Sequence, residues 1–170
     1  MTSRARWNRS APVAALTALL FAGSGALSTA SAATTYWQYS NESNGLCLTA
    51  STQTSNVWMA TCEPISSQLW DWIGPVDPDG DGQHMLKNVA NGDCLMTDFK
   101  SARNAVWTSA CTGKLGEYWD NDSPNWLDAD QSPWSLRTSP GTVAVFNSNS
   151  ATDPDIGIPL STHIWWGVHT

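Results

Sequence analysis

The sequence has few basic residues, with eight Lys and Arg against fifteen Asp and Glu. Three of the eight, Arg4, Arg6 and Arg9, lie before residue 33, so five bases face fifteen acids in the remainder and its formal net charge is −10. A surface this acidic repels phosphate groups, which argues against nucleic acid and anionic membranes as partners.

Long hydrophobic runs are also missing, except for one near the N-terminus. The stretch APVAALTALLFAG follows the three arginines and leads to Ala30-Ser31-Ala32. This layout predicts a signal peptide over residues 1–32, cleaved after Ala32. A membrane anchor is the less favoured alternative, because spanning a bilayer takes roughly 20 apolar residues. We therefore expect residues 33–170 to form a secreted, extracellular domain of 138 residues. We expect this domain to be a monomer.

Histidine is scarce, and none of the three falls in a catalytic or metal-binding motif. The fifteen acids are scattered, and nothing singles out two of them as a pair for glycoside hydrolysis. We therefore expect neither an enzyme nor a cofactor.

One acidic stretch, Asp77–Gly82, resembles the opening of a D-x-D-x-D-G calcium loop. The twelfth position is Asn88 instead of Glu, and the flanking segments read as strands. A turn between two repeats is the preferred interpretation, and no metal is expected.

What the chain does contain is an internal repeat. Residues 45–70 read GLCLTASTQTSNVWMATCEPISSQLW and residues 92–119 read GDCLMTDFKSARNAVWTSACTGKLGEYW. Both carry Gly-x-Cys-Leu, Val-Trp-x-x-x-Cys and a closing Trp, at a spacing of 47 to 49 residues. Such a period indicates copies that share one core.

Within the copies, short apolar and aromatic runs alternate with turn residues, and no segment after residue 32 shows a helical period with caps. The pattern predicts an all-β protein of about twelve strands. The predicted strands of the first two copies lie at 36–39, 47–49, 57–60, 68–72, 84–87, 94–96, 105–108 and 117–119.

A third, degenerate copy is expected at the C-terminus, giving repeats of about 36–83, 84–133 and 134–170. We align Trp134–Arg137 with His84–Lys87, and Val143 with Cys94. Both cysteine positions are then lost together, the second near Gly157 or Ile158. Trp70, Trp119 and Trp165 hold the closing position of each copy and are predicted to lie in the core.

Four cysteines in an exported chain predict two disulfides, which can pair in three ways. The repeat favours one bridge inside each copy, Cys47–Cys62 and Cys94–Cys111, and the joint loss in the third copy agrees. A zinc site with four thiolate ligands is disfavoured because the sequence has no C-x-x-C.

The threefold repeat of Gly-x-Cys-Leu, Val-aromatic-x-x-x-Cys and Gln-x-Trp resembles the ricin-type β-trefoil lectins, most closely the short exported bacterial ones. The resemblance covers nearly all of residues 36–170. It implies a β-trefoil, a six-stranded barrel capped by three hairpins. It also implies carbohydrate as the partner, bound at up to one shallow site per copy.

The usual sugar-binding residues of that family are largely absent. The Asp that follows Cys-Leu is replaced by Thr49, Met96 and, in our alignment, Val145. The aromatic two residues before the second cysteine is replaced by Ala60 and Ser109.

We predict that Trp58 and Trp107 replace this missing aromatic, because each lies two residues away and so on the same strand face. Polar ligands would come from Thr49, Asn56 and Gln68 in copy one, and from Asp98, Asn104 and Glu117 in copy two. The alternative places both Trp in the core and has Gln68 and Glu117 bond backbone in their own loops.

A second hypothesis is a trefoil that has lost sugar binding and contacts another secreted protein, for example as an inhibitor. The absent Asp and aromatic residues favour it, and Asn147–Ser161 is then the candidate contact loop.

Overall fold

The computed structural model describes residues 35–78, 82–122, 125–129, 134–149 and 157–170. The predicted signal peptide lies outside the described residues, as do parts of the Asp77–Gly82 stretch and of the candidate contact loop.

The described residues are nearly all β, as predicted, and three short 3-10 helices interrupt the strands. None of these helices is long or apolar enough to cross a membrane. The strands are β1 (Trp37–Asn41), β2 (Cys47–Ala50), β3 (Val57–Ala60), β4 (Trp70–Ile73), β5 (His84–Asn88), β6 (Cys94–Met96), β7 (Arg103–Ala105), β8 (Trp107–Ser109), β9 (Tyr118–Asp122), β10 (Trp126–Ala129), β11 (Trp134–Thr138), β12 (Val145–Asn149) and β13 (Trp165–His169). The 3-10 helices are Ser66–Gln68, Leu115–Glu117 and Leu160–His163.

Six strands form a closed barrel. Antiparallel pairing runs from β13 to β1, β4, β5, β9 and β10 in that order. A backbone hydrogen bond of 2.7 Å from Trp165 N to Asn125 O joins the segment leading into β10 back to β13. Closure leaves no unpaired edge in the ring, which suits a domain built from three short copies.

Three hairpins cap this barrel, one from each copy: β2 with β3, β6 with β8, and β11 with β12. The hairpins are joined to one another. Thr108 N donates to Ser55 O over 2.9 Å, Met59 N donates to Val143 O over 2.8 Å, and β7 pairs with β12. A barrel of six strands with three mutually bonded hairpins is the β-trefoil predicted from the sequence.

The core is organised by three tryptophans. Trp70, Trp119 and Trp165 are fully buried, as predicted. Each indole Nε1 donates to a backbone carbonyl in the hairpin of its own copy: to Leu48 over 3.1 Å, Leu95 over 2.9 Å and Leu136 over 2.8 Å. The hydrogen bond satisfies the one polar atom of a large apolar side chain, so the ring can be buried without an unpaired donor.

This hydrogen bond corrects our alignment of the third copy. Leu136 takes the place of Leu48 and Leu95, so Ser135, not Val143, occupies the first cysteine position. Ser135 pairs with Ser148 as Cys94 pairs with Ser109. Because Cys111 follows Ser109 by two residues, the second cysteine position of the third copy is Ser150, two residues after Ser148.

The third copy accordingly takes in β10 (Trp126–Ala129), which the sequence alignment left in the second. Counting forward from Cys94 at a fixed period failed for a physical reason. The connection between barrel strands runs from Ile73 to His84 between copies one and two, but from Asp122 to Trp126 between copies two and three. The length of a connection has little effect on its free-energy cost, so it is free to change between repeats.

Both predicted disulfides are present. Cys47 is bonded to Cys62 and Cys94 to Cys111, and no cysteine is free. Each bridge ties the first strand of a hairpin to the residues just beyond its second strand. By the chain-entropy estimate, closing a loop of this length contributes about 3 kcal/mol to the free energy of unfolding.

Candidate functional site

Three aromatic side chains occupy equivalent places on the cap hairpins. Trp58 lies opposite Thr49, Trp107 opposite Met96, and Phe146 opposite Arg137. All three rings are half-buried, and none is part of the fully buried core.

The direction of these rings follows from strand alternation. In the first hairpin, Leu48 and Met59 lie opposite each other and are buried in the core. Successive side chains on a strand point to opposite faces, so the next pair, Thr49 and Trp58, lies on the face turned away from the core. The hairpin therefore presents part of an indole ring on its outer side.

In copy one the structure brings together three of the four predicted site residues. Gln68 is buried, and its Nε2 donates to Thr49 Oγ1 over 3.2 Å and to Thr61 O over 2.8 Å. Its Oε1 accepts from Glu63 N over 2.8 Å and from Gln38 Nε2 over 3.1 Å. Trp58 lies across the hairpin from the same Thr49. These bonds occupy both donors of the amide and two acceptor positions, and they tie the 3-10 helix to the hairpin.

Asn56 lies elsewhere. Its side chain is exposed, and its backbone forms an isolated bridge with Trp107 of copy two. The adjacent carbonyl of Ser55 accepts from Thr108 N. The contact between hairpins thus places Asn56 beside the second tryptophan instead of completing a group around the first.

In copy two, Glu117 holds the place of Gln68 and is fully buried. Its Oε2 accepts from the backbone N–H of Thr112 over 2.8 Å, of Gly113 over 2.7 Å and of Lys114 over 3.3 Å. Its Oε1 accepts from Thr112 Oγ1 over 3.0 Å. A carboxylate that receives four hydrogen bonds replaces hydration with fixed donors, which is how this charge is buried.

The other two polar candidates of copy two are separate from Trp107. Asp98 forms an ion pair of 2.9 Å with Lys100 in the connection after β6. Asn104 is buried on β7 opposite Asn147 of the third copy, and its Oδ1 accepts from Ser101 N over 2.7 Å. Trp107 is therefore the candidate of copy two that lies on the outer face of a hairpin, because β8 pairs with β6 there.

The sequence reasoning missed the third copy's aromatic because the alignment was displaced. Two cations lie near the Phe146 ring: the Arg103 guanidinium is 5.0 Å and that of Arg137 5.3 Å from its centroid. Arg137 also takes the place at which the lectin family carries Asp, where our alignment put Val145. It is fully buried, and its Nε donates to Ser148 Oγ over 2.9 Å. Aligning on Leu136 would have found both residues.

Among the described residues, no three His, Cys, Asp or Glu side chains lie close enough together to hold a metal ion. Asp77 is buried at one end of the calcium-like stretch, and its backbone N–H donates to Gln83 O over 2.9 Å. This bond links Asp77 to Gln83 between the last strand of copy one and the first strand of copy two.

No protein-family model and no curated protein matches the chain. Solved structures do match. A designed threefold-symmetric protein, ThreeFoil, superposes with a TM-score of 0.61 at 22% identity, over 78% of this chain and 97% of its own. The BEL β-trefoil gives 0.59 at 16% identity, over 82% and 96%. The Rhizoctonia solani agglutinin gives 0.54 at 20% identity, over 80% and 94%. At these identities the likeness establishes the β-trefoil fold.

Proposed function

We propose that this chain is a ricin-type β-trefoil that is exported and binds carbohydrate without catalysing a reaction. The observation that carries the proposal is the repeated position of Trp58 and Trp107. Both rings are half-buried on the outer faces of equivalent hairpins. The structural likeness to an agglutinin supports the proposal at the level of the fold.

The chemistry of an indole plate suits a sugar. One face of a pyranose ring presents C–H groups, and an aromatic face binds them while excluding water. A ring that is already held by packing on its inner side loses little side-chain entropy on binding. We expect each site to be weak, in the millimolar to micromolar range, with two sites on one polymer giving avidity.

Export is part of the proposal. Two disulfides are typical of proteins in oxidising compartments, and small domains there commonly depend on them. The N-terminal pattern of arginines, apolar run and Ala30-Ser31-Ala32 supplies the corresponding signal.

A glycan array with the protein lacking residues 1–32, together with Trp58→Ala, Trp107→Ala and the double variant, tests the function. We expect binding to be reduced in each single variant and reduced further in the double variant. Trp166→Ala serves as the matched control, since this Trp is 50% exposed but lies on the barrel. Undiminished binding by the double variant would reject these residues as the site. Absence of binding by the unmodified protein would reject the function.

A protein-binding trefoil is the second candidate. Two apolar residues of the third copy are strongly exposed, Val143 at 55% and Leu160 at 60%, near the two ends of the candidate contact loop. Exposed apolar groups of this kind are common in contacts between proteins. Capture from culture medium, with Val143→Ser and Leu160→Ser as variants, separates the two candidates. A partner retained by both variants would argue against this surface.

A further inference from the structure

The barrel wall carries a cleft that is separate from the hairpin aromatics. Its volume is about 190 Å³, and its lining residues are Tyr36, Asp71, Lys87, Asn88, Val89 and Gly92. It lies where the last strand of copy one, β4, meets the first strand of copy two, β5. A space this size is below the roughly 300 Å³ at which pockets for drug-sized ligands begin, so it suits one small ring.

Strand register brings three polar groups into one row. Trp37 pairs with Trp70, and Trp70 with Asn88, across three adjacent strands. Trp70 and Asn88 are buried, so the neighbouring positions face outward. Asp71 lies directly opposite Lys87, and Tyr36 precedes Trp37 on the same side as Asp71. A phenol, a carboxylate and an ammonium group thus stand side by side on the outer face.

The two charges in this row do not satisfy each other. Opposite charges facing across antiparallel strands commonly pair. Within the described part of the chain, however, the side chains of Asp71 and Lys87 form no ion pair or hydrogen bond; the ion pair found there joins Lys100 to Asp98. Both residues are half-buried. An acceptor and a donor therefore remain open toward the same cleft.

The surroundings of the cleft are held firmly. The Asn88 amide donates to Ser67 O over 3.0 Å and to Leu69 O over 3.2 Å, and its Oδ1 accepts from Ala90 N over 3.0 Å. Tyr36 exchanges backbone hydrogen bonds of 3.3 and 3.0 Å with Thr170. A site whose floor and rim are already fixed loses little conformational entropy when a ligand binds.

The barrel strands of neighbouring copies meet at two other junctions, and the outward-facing pairs at the equivalent positions there have different side chains. Between copies two and three, Asp120 faces Asp128, and between copies three and one, Trp166 faces Ser40. Of the three junctions, the one between copies one and two sets a carboxylate against an ammonium group. Pseudosymmetry alone does not account for this combination.

We propose that the Tyr36–Asp71–Lys87 cleft binds one neutral pyranose unit. A sugar hydroxyl donates to the Asp71 carboxylate, and an adjacent hydroxyl accepts from the Lys87 ammonium group. Hydroxyl groups suit this row because each is both a donor and an acceptor, and hydrogen bonds to charged partners are the stronger class. The Tyr36 ring flanks the same space. This inference rests on the carbohydrate-binding function proposed above and adds a site distinct from the hairpin aromatics.

Two-dimensional ¹H–¹⁵N NMR titration with methyl β-galactopyranoside, methyl β-xylopyranoside and N-acetylglucosamine tests it. We expect at least one of these sugars to shift the Val89 and Gly92 amide signals, which belong to the lining of the cleft. Asp71→Asn and Lys87→Gln should each raise the dissociation constant read from those shifts about tenfold or more, because a hydrogen bond to a charged group is lost. The same spectra report whether each variant is folded.

Asp98→Asn and Lys100→Gln are the matched controls, because they remove the same two charges from another part of the chain. The site is supported if these two control variants bind the sugar as the unmodified protein does, while the Asp71→Asn and Lys87→Gln variants bind it more weakly. Shifts confined to the Trp58 and Trp107 indole N–H signals would overturn it while leaving the proposed function in place. Absence of any shift would overturn the cleft and count against the function as well. Free glycine carries an ammonium and a carboxylate group that could pair with Asp71 and Lys87. If glycine binds at the cleft and no sugar does, the assignment of a pyranose is overturned.

Discussion

The indole of Trp165 donates its proton to the carbonyl oxygen of Leu136 over 2.8 Å, and this bond places the third copy in register with the other two. The third copy has neither cysteine and no Gly-x-Cys-Leu. It still keeps the buried indole and its carbonyl partner. The repeat unit of this trefoil is therefore defined by the contact between its closing Trp and its hairpin, with the disulfide as an addition in two copies.

The first prediction concerns these indoles. Trp165→Phe removes the donor, leaves the Leu136 carbonyl without its partner and opens a void, which should lower the free energy of unfolding by about 1–3 kcal/mol. Trp70→Phe and Trp119→Phe should cost similar amounts. Urea unfolding monitored by circular dichroism measures all three.

Trp166→Phe is the control for this series. Trp166, the next residue along β13, is 50% exposed, so this substitution should change the free energy of unfolding by no more than about 0.5 kcal/mol. A Trp165→Phe variant as stable as the Trp166→Phe variant would contradict a structural role for the third indole.

The second prediction concerns Gln68 and Glu117, which hold equivalent places and both accept a hydrogen bond from a backbone N–H group, but differ in their other partners. The Gln68 amide donates to Thr61 O, whereas the Glu117 carboxylate accepts from three backbone N–H groups. Glu117→Gln removes the charge that accepts from these N–H groups, and Gln68→Glu sets a carboxylate against the Thr61 carbonyl oxygen. Each change should lower the free energy of unfolding by about 1–3 kcal/mol, as read from thermal or urea unfolding.

Asp98→Asn provides the comparison for a half-buried carboxylate that pairs with an exposed Lys100, where we expect the free energy of unfolding to change by at most about 1 kcal/mol. Equal effects of Asp98→Asn and Glu117→Gln would mean that the four hydrogen bonds of Glu117 do not stabilise the fold.

The third prediction concerns pH. Tyr39 is buried in the core, and burial raises the pKa of its phenol well above the usual 10.0, while the hydrogen bond from Trp72 opposes that shift. Because the folded pKa lies above the unfolded one, the stability linked to Tyr39 is fully present below about pH 10 and is lost as the pH rises further.

Urea unfolding across this alkaline range should therefore show a fall in stability that is smaller in Tyr39→Phe. Ultraviolet difference spectra should show the Tyr39 phenol ionising only as the protein unfolds. Ionisation of all three tyrosines in the folded protein near pH 10 would contradict the prediction.

Most strands of the first two copies, the buried tryptophans and the disulfide pairing were predictable, and for one reason. They depend on local alternation and on a repeat that two copies share almost residue for residue. Residues 47–49 and 57–60 were predicted as strands, and the structure has strands at 47–50 and 57–60. The predicted strand 105–108 is divided into β7 and β8, and β10 was not predicted. Where the repeat weakened, at residues 134–145, the alignment depended on a fixed period, and the shorter connection from β9 to β10 made that period wrong.

The candidate site was less predictable. Sequence spacing correctly set Trp58 and Trp107 at equivalent positions, but it grouped Asn56 with the first tryptophan, whereas hairpin contacts place it beside the second. Phe146 was missed for the same reason as Ser135. The row of Tyr36, Asp71 and Lys87 joins residues of β4 and β5 with the residue that precedes β1 and has no sequence motif, so pairing alone reveals it.

The class of fold, the two bridges and the three core tryptophans follow from the sequence alone, because they depend on a repeated pattern of apolar residues and cysteines. Which polar groups are hydrogen-bonded within the fold and which remain open follows only from how the strands and 3-10 helices pack. Gln68 and Glu117 belong to the first kind, since the 3-10 helices turn them inward onto backbone atoms. Asp71 and Lys87 belong to the second, since the pairing of β4 with β5 sets them facing each other on the outer wall. Such pairing depends on the strand register between copies, and this becomes fixed only when the copies pair.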